Sequence, residues 1–180
     1  MKGVIFVEFL EVVEELYSYE MVDQIILDCE LSSGGSYTSV GTYPHDDMLK
    51  LVTALSARTQ TETSDLVFAF GKFLFGRLIA RHPEFLESVK DTFSLAKAVE
   101  THIHQEVLKL YPDAELPLIN ASSVSESQLV VIYKSARPFA DLALGLLTAS
   151  GNYFDEDIHI ARHDFEGPPG THAKFTLTRR

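Results

Sequence analysis

An α+β fold is predicted for this chain, helices first and sheet second, on two observations. Up to about residue 112 apolar residues recur at helical spacing, and after Pro117 the pattern changes to short strand-like runs joined by polar turns, with one helical run between them. One domain over 1–180 is expected, with a helical part over about 1–112 packed on a sheet-containing part over about 113–180. The second part reads as a ββαββ antiparallel-sheet unit, and no repeat or low-complexity linker marks an interior boundary.

Each element has a local reason. Ile5, Phe9, Val12, Val13 and Leu16 follow the period of an amphipathic first helix. Glu8 and Glu11 interrupt its apolar run before it reaches the length of a signal peptide, so MKGVIFVEFLEVVEEL reads as a retained helix. Met48, Leu51, Val52 and Leu55 mark a second helix, with Pro44 suited to its first turn. Leu66, Phe70, Phe73, Leu74, Arg77 and Leu78 mark a third, apolar over more than one face, which predicts two neighbours for it. A short helix follows Pro83. A longer one runs from Ser94 to about Leu110, and Tyr111-Pro112 ends it because proline disfavours helical backbone at the residue before it. LINASSVSESQLVVIYKSAR then reads as two strands joined by a polar turn, RPFADLALGLLTASGNYF as a helix started at Pro138, and DIHIARHDFEGPPGTHAKFTLTRR as a closing hairpin.

Composition excludes several classes of function. Lys plus Arg number 15 against 26 Asp plus Glu, a formal charge of -11, which repels a phosphate backbone or an anionic membrane surface. Nucleic acid is therefore not expected as a partner. The one cysteine, Cys29, rules out an internal disulfide, a multi-cysteine metal site and CxxCH haem attachment, and fits a reducing compartment. The most apolar segment, LVFAFGKFLFGRLIA, contains Lys72 and Arg77 and falls short of the roughly 18 uninterrupted apolar residues of a membrane span. A cytoplasmic protein with no membrane association is expected.

Among the histidines, His102 and His104 form an HxH pair, but on a helix two residues turn through about 200 degrees, so only one ring can face a given site. His159 and His163 share a strand face about 13 Å apart, too far for one metal ion held at about 2 Å from each ring nitrogen. A locally built zinc hydrolase is disfavoured on both counts. His104 stands out by its neighbours: the helix break at Tyr111-Pro112 and the apolar residues 117 to 119, placed to wall a cavity beside it. Further on, Tyr133, Ser135 and Arg137 alternate, so an extended strand would turn all three to one face. Guanidinium binds carboxylate bidentately and hydroxyls add neutral donors, while Leu142, Leu144, Leu146 and Leu147 supply apolar surface next to them. A carboxylate on an apolar body suits that combination.

A helix histidine at 104, Tyr111-Pro112, Pro117 thirteen residues beyond the histidine, and YxSxR at the end of a strand together resemble the haem nitric oxide/oxygen binding (H-NOX) family, related to the sensor domain of soluble guanylate cyclase. GLL at 145–147, AFGKFLF at 69–75 and the opening MKGVIF extend the resemblance over essentially the whole chain. It implies that the haem lies between the helical and sheet-containing parts. It gives His104 the role of iron ligand, and Tyr133, Ser135 and Arg137 that of gripping the two propionates. Pro117 would press on the porphyrin and help distort it, and Ile5, Phe9, Leu74, Leu78, Leu142 and Leu146 would line the distal pocket. Noncovalent haem b follows from the missing CxxCH.

Departures from the family carry further expectations. Oxygen-binding members place a distal tyrosine where this chain has Leu142, and a polar partner where it has Leu74. Bound O₂ needs a hydrogen-bond donor, whereas NO binds ferrous iron without one, so a haem that takes NO and CO but no stable O₂ complex is expected. Tyr17, Tyr19 or Tyr43 would have to supply a phenol from elsewhere. The cysteine-rich metal site of some relatives cannot form from Cys29 alone. The resemblance implies a gas sensor and not an enzyme: NO weakens the bond from iron to His104, the helix bearing it loses its tether, and a separate partner such as a histidine kinase or a cyclic-di-GMP enzyme reads the change. One rival is a binding module for another apolar carboxylate or an iron-free tetrapyrrole, with His104 incidental. A haem peroxidase or dioxygenase ranks last, because a leucine-lined distal wall offers no acid-base group.

Overall fold

Helical periodicity gives way to strand alternation where the sequence predicts it. The computed structural model describes residues 1–180, with helices through Leu110 and a four-stranded antiparallel sheet after Pro117. The chain forms two compact units, Met1–Phe70 and Gly71–Arg180.

The first unit contains α1 (Gly3–Leu16), α2 (Tyr19–Leu27), α3 (His45–Thr59) and the opening turns of α4 (Thr63–Arg81). Its core gathers Phe6, Phe9, Val12 and Val13 of α1, Val22 and Ile25 of α2, and Met48, Leu51, Val52 and Leu55 of α3. Leu16, the last member of the predicted stripe on α1, is instead exposed. Pro44 sits one residue earlier than expected, at the N-cap of α3. Sequence periodicity gave no signal for α2: only two of its nine residues are buried, too narrow a stripe to stand out, and Ser18 starts it by accepting the Met21 amide at 3.2 Å. Phe6 stacks on Tyr37 at 4.4 Å, and the buried Asp47 carboxylate holds the 28–44 loop by accepting from the Ser32 amide and hydroxyl. α4 meets two neighbours as its broad apolar surface predicts: Phe70 packs edge-on against Phe9 of α1, and within the second unit the buried Phe75 packs edge-on against the exposed Tyr153 ring.

In the second unit the sheet runs in the order β1-β2-β4-β3, from β1 (Leu118–Ser123), β2 (Gln128–Lys134), β3 (Ile158–Asp164) and β4 (His172–Arg179). The two hairpins join through β2 and β4, whose alternate residues Leu129, Val131, Tyr133, Ala173, Phe175 and Leu177 are buried on one face. That face is covered by α5 (Thr92–Ala98) through Phe93 and Ala96, and by α7 (Ala140–Tyr153) through Ala140, Ala143, Leu144 and Leu147. α7 starts at Ala140 and not at Pro138, because the chain is still turning there: the Ala140 amide bonds to the Gly170 carbonyl at 3.0 Å.

The helix predicted from Ser94 to Leu110 differs in two respects. It begins two residues earlier, since Asp91 accepts the Ser94 amide at 2.7 Å and the Ser94 hydroxyl accepts the Asp91 amide at 3.0 Å, a reciprocal cap. It also changes winding: α5 passes into a π-helical segment, Val99–Ile103, before α6 (His104–Leu110) resumes the ordinary turn. Pro83–Leu86 form a single 3-10 turn that buries Phe85.

Candidate haem site

The π-helical segment delivers His104 as the first residue of α6, directly after the change in winding. Such segments recur at functional positions because they re-aim the side chains that follow. His102 is exposed while the His104 side chain is only 15 % exposed, so the geometric argument that one ring of the pair can face a site holds. His159 and His163 both lie on the solvent side of β3.

Burial holds the His104 imidazole below the usual histidine range, and Glu100, which works in the opposite direction, does not offset it. Burial thus favours the neutral form of the ring. Its Nδ1 lies 3.3 Å from Oε2 of Glu100, one helical turn back, and the same oxygen accepts the Ile119 amide at 3.1 Å. A carboxylate can only accept, so Nδ1 carries the proton and Nε2 keeps its lone pair, the form of imidazole that ligates a metal.

The YxSxR stretch departs from the extended geometry assumed for it. Only Tyr133 belongs to β2; the strand ends at Lys134, and Ser135 and Arg137 lie in the bend beyond it. They still converge, through local hydrogen bonds and not through strand alternation. The Tyr133 hydroxyl donates to the Arg137 carbonyl at 3.3 Å, and the Arg137 amide donates to the Ser135 hydroxyl at 3.0 Å. Burial raises the Tyr133 phenol above its ordinary value, so it stays a neutral donor. The guanidinium of Arg137, 14 % exposed, donates to the Glu115 carbonyl at 2.8 Å and pairs with the Glu115 carboxylate, which is itself 83 % exposed. A sheltered guanidinium that already binds a carboxylate at its solvent edge has the chemistry a propionate needs.

Pro117, half-buried, stands between these two arrangements. Two residues before it, Glu115 is held by Arg137; two residues after it, the Ile119 amide is held by Glu100. The leucines form a separate group where α4 crosses α7. Gly71 of α4 approaches so closely that a Cβ there would lie 2.4 Å from the Leu142 carbonyl oxygen and 3.0 Å from Gly145 Cα. Leu74 and Leu78 share the Gly71 face of α4, and Leu142 and Leu146 the Gly145 face of α7. Leu74 is buried and the other three are half-buried. In the first unit, Ile5 is half-buried and Phe9 buried on α1. Of the phenols weighed as distal donors, Tyr17 and Tyr19 face solvent and Tyr43 is engaged with the Thr38 amide at 2.9 Å.

Sequence reasoning missed Glu100 and Glu115. An acid on a helix surface reads as solvated, and the one usable signal was the four-residue spacing of Glu100 to His104.

Comparison with known families decides the matter: the Haem-NO-binding model matches residues 2–162. The chain belongs to the H-NOX family. A search of curated protein sequences found no significant match. Among solved structures, the chain is similar to an H-NOX protein from K. algicida in the Fe(II) unliganded state, at 38% identity and a TM-score of 0.94, covering 100% of this chain and 97% of that one. It is similar to an H-NOX from Shewanella woodyi in the Fe(II)CO ligation state, with 40% identity, a TM-score of 0.83 and coverage of 100% and 95%. An H-NOX from S. oneidensis in the Fe(II)NO ligation state matches at 26% identity and a TM-score of 0.90, over 100% and 99% of the two chains. As an H-NOX protein it is a haem-based gas-sensing domain, and H-NOX domains are sensors rather than catalysts.

Proposed function

We propose that this H-NOX chain senses NO, and binds CO, at a ferrous haem b held by His104, without forming a stable O₂ complex. The observation that carries the reading is the placement of His104: a largely buried ring with Nδ1 engaged by the Glu100 carboxylate, so that Nε2 is the free donor. The haem, when bound, supplies an open iron position for a diatomic gas. Tyr133, Ser135 and Arg137 hold the propionates, with the Arg137 guanidinium exchanging the exposed Glu115 carboxylate for a propionate of the same chemistry. Pro117, on the loop that Arg137 and Glu100 anchor on either side, would lie against the macrocycle.

Gas selectivity follows from side chains that cannot donate. Leu74, Leu78, Leu142 and Leu146 carry no N–H or O–H, so the α4–α7 side offers nothing to hold the partial negative charge of bound O₂, while NO and CO do not need it. The sequence has no CxxCH motif for thioether attachment, which supports noncovalent haem b. Sensing in this reading is a change in how firmly His104 is held, passed along α6 and, through Glu100, to β1. A gas shifts that balance only by its different affinity for the two states. The change is read in trans by a signalling partner such as a histidine kinase or a cyclic-di-GMP enzyme.

The test is the visible spectrum of the protein reconstituted with haemin and reduced. One Soret band that moves on adding NO or CO and is unchanged on mixing with air is expected; a protein that takes up no haemin, or that yields a lasting oxy spectrum, overturns the reading. Leu142→Tyr adds a phenol, and is expected to slow O₂ loss measurably. No gain would remove Leu142 from the gas-binding face.

A further inference from the structure

The geometry points to Glu100 as a positioning residue that fixes the tautomer of His104 and couples it to the strand beside the propionate clamp. This rests on the reading of His104 as the axial ligand. A single oxygen, Oε2, faces two donors from different elements: Nδ1 of His104 on α6 at 3.3 Å, and the backbone amide of Ile119 on β1 at 3.1 Å. A carboxylate oxygen has two acceptor sites, and here both are aimed at the protein.

As a contribution to stability the pair is slight. The Glu100 side chain is 44 % exposed, and a hydrogen bond to a solvent-facing carboxylate one turn away on a helix adds little to the stability of the fold. Its consequence lies in direction. A carboxylate on the far nitrogen of a ligating imidazole selects which nitrogen is bare, sets the ring plane and makes the bare nitrogen a stronger donor. Glu100 stands four residues before His104 inside the π-helical segment, so the change in winding that delivers the ring also delivers its partner.

The Ile119 contact extends this reach. β1 is an edge strand paired only with β2, and in their register Ile119 lies opposite Tyr133. Tyr133 in turn donates to the carbonyl of Arg137, whose guanidinium returns to Glu115 on the same loop that leads into β1. His104 and the YxSxR clamp are therefore joined through one carboxylate and one strand pair. Through this carboxylate a change in the pull on His104 is carried to β1.

Glu100→Gln and Glu100→Ala test the assignment with two readouts. In the haem-free protein, nitrogen NMR of the His104 ring is expected to show the Nδ1–H form in wild type and a shift toward Nε2–H in Glu100→Ala, with a changed Ile119 amide resonance. In the reduced, haem-loaded protein, the iron–histidine Raman band is expected at lower frequency in both variants, and haemin retention weaker by about 10-fold in Glu100→Ala. Glu100→Gln keeps size and an acceptor oxygen, so its melting temperature should match wild type while the band still moves, an outcome that a purely structural pair would not give. Unchanged ring resonances together with an unchanged band in Glu100→Ala overturn the proposal. A moved tautomer with an unmoved band would instead overturn the ligand reading of His104, which His104→Ala checks separately.

Discussion

Two regions of the second unit hold their side chains by different physical means. Around His104 and Arg137 the positions are set by hydrogen bonds: Glu100 to the ring and to Ile119, Arg137 to Glu115, Tyr133 and Ser135 to the backbone of Arg137. Where α4 crosses α7 they are set by packing, with Gly71 pressed on the Leu142 carbonyl and the Gly145 backbone. A hydrogen bond fixes the direction of one atom; packing fixes distance and shape, and leaves no polar atom pointing anywhere. Under the proposed function, the first arrangement would aim a lone pair and a charge at the haem, and the second would deny a bound gas any donor.

The difference is broken most completely by removing the aimed atom itself. His104→Ala is expected to abolish axial ligation outright, with the five-coordinate ferrous spectrum returning on addition of free imidazole. A spectrum that survives without imidazole would pass the role to another side chain. Next in size is Arg137→Ala. Hydrogen bonds to charged groups are worth about 1.5–3 kcal/mol, so haemin retention should fall by roughly 10- to 100-fold, read from transfer to an acceptor protein. Because the Glu115 carboxylate is largely exposed, the melting temperature of the haem-free variant should barely change.

On the packed side, Gly71→Ala should cost stability where the polar variants do not. The added methyl meets backbone, not a yielding side chain, at 2.4 Å, so α4 and α7 must separate. Overpacking of this kind costs about 1–3 kcal/mol. A melting temperature equal to wild type would show that the two helices slide apart freely.

The same contrast decides how much was legible in the sequence. Packing leaves a pattern, so α1, α3, α4, α7 and both hairpins were readable from Phe9, Leu51, Phe70 and short strand-like runs such as LVVIY set between polar turns. Where the period was narrow it failed, as in α2 with Val22 and Ile25 alone. Hydrogen-bonded geometry leaves almost none: the π-helical turn before His104 has no compositional mark, and Ser135 and Arg137 were placed on a strand that ends at Lys134. His104, Tyr133 and Arg137 came forward from their neighbours and spacing and took their roles from a family resemblance, while Glu100 and Glu115, which the structure sets against them, looked like ordinary surface acids.

The smallest expected effect asks whether the hydrogen-bonded side depends on a bond far from the ring. Asp91 starts the helical run that carries His104, accepting the Ser94 amide at 2.7 Å and the Arg179 guanidinium at 2.7 Å, while Arg179 also lies over the Phe93 ring at 4.0 Å. Asp91→Ala should cost about 1 kcal/mol, the usual worth of a cap, and Asp91→Asn less, because an amide oxygen still caps but carries no charge for Arg179. Burial acts to raise the Asp91 carboxyl, but Ser94 and Arg179 outweigh it and hold it below the ordinary value. A depressed carboxyl stabilises the fold above the unfolded value of about 3.9, and that contribution is lost as the pH falls through the lower folded value. The gap in melting temperature between wild type and Asp91→Asn should therefore be full at neutral pH and close on acidification below about pH 3.9. A gap that does not depend on pH would assign the whole effect to the cap. Ring resonances of His104 that move in Asp91→Asn would show that its orientation is inherited from the helix start and not secured locally by Glu100.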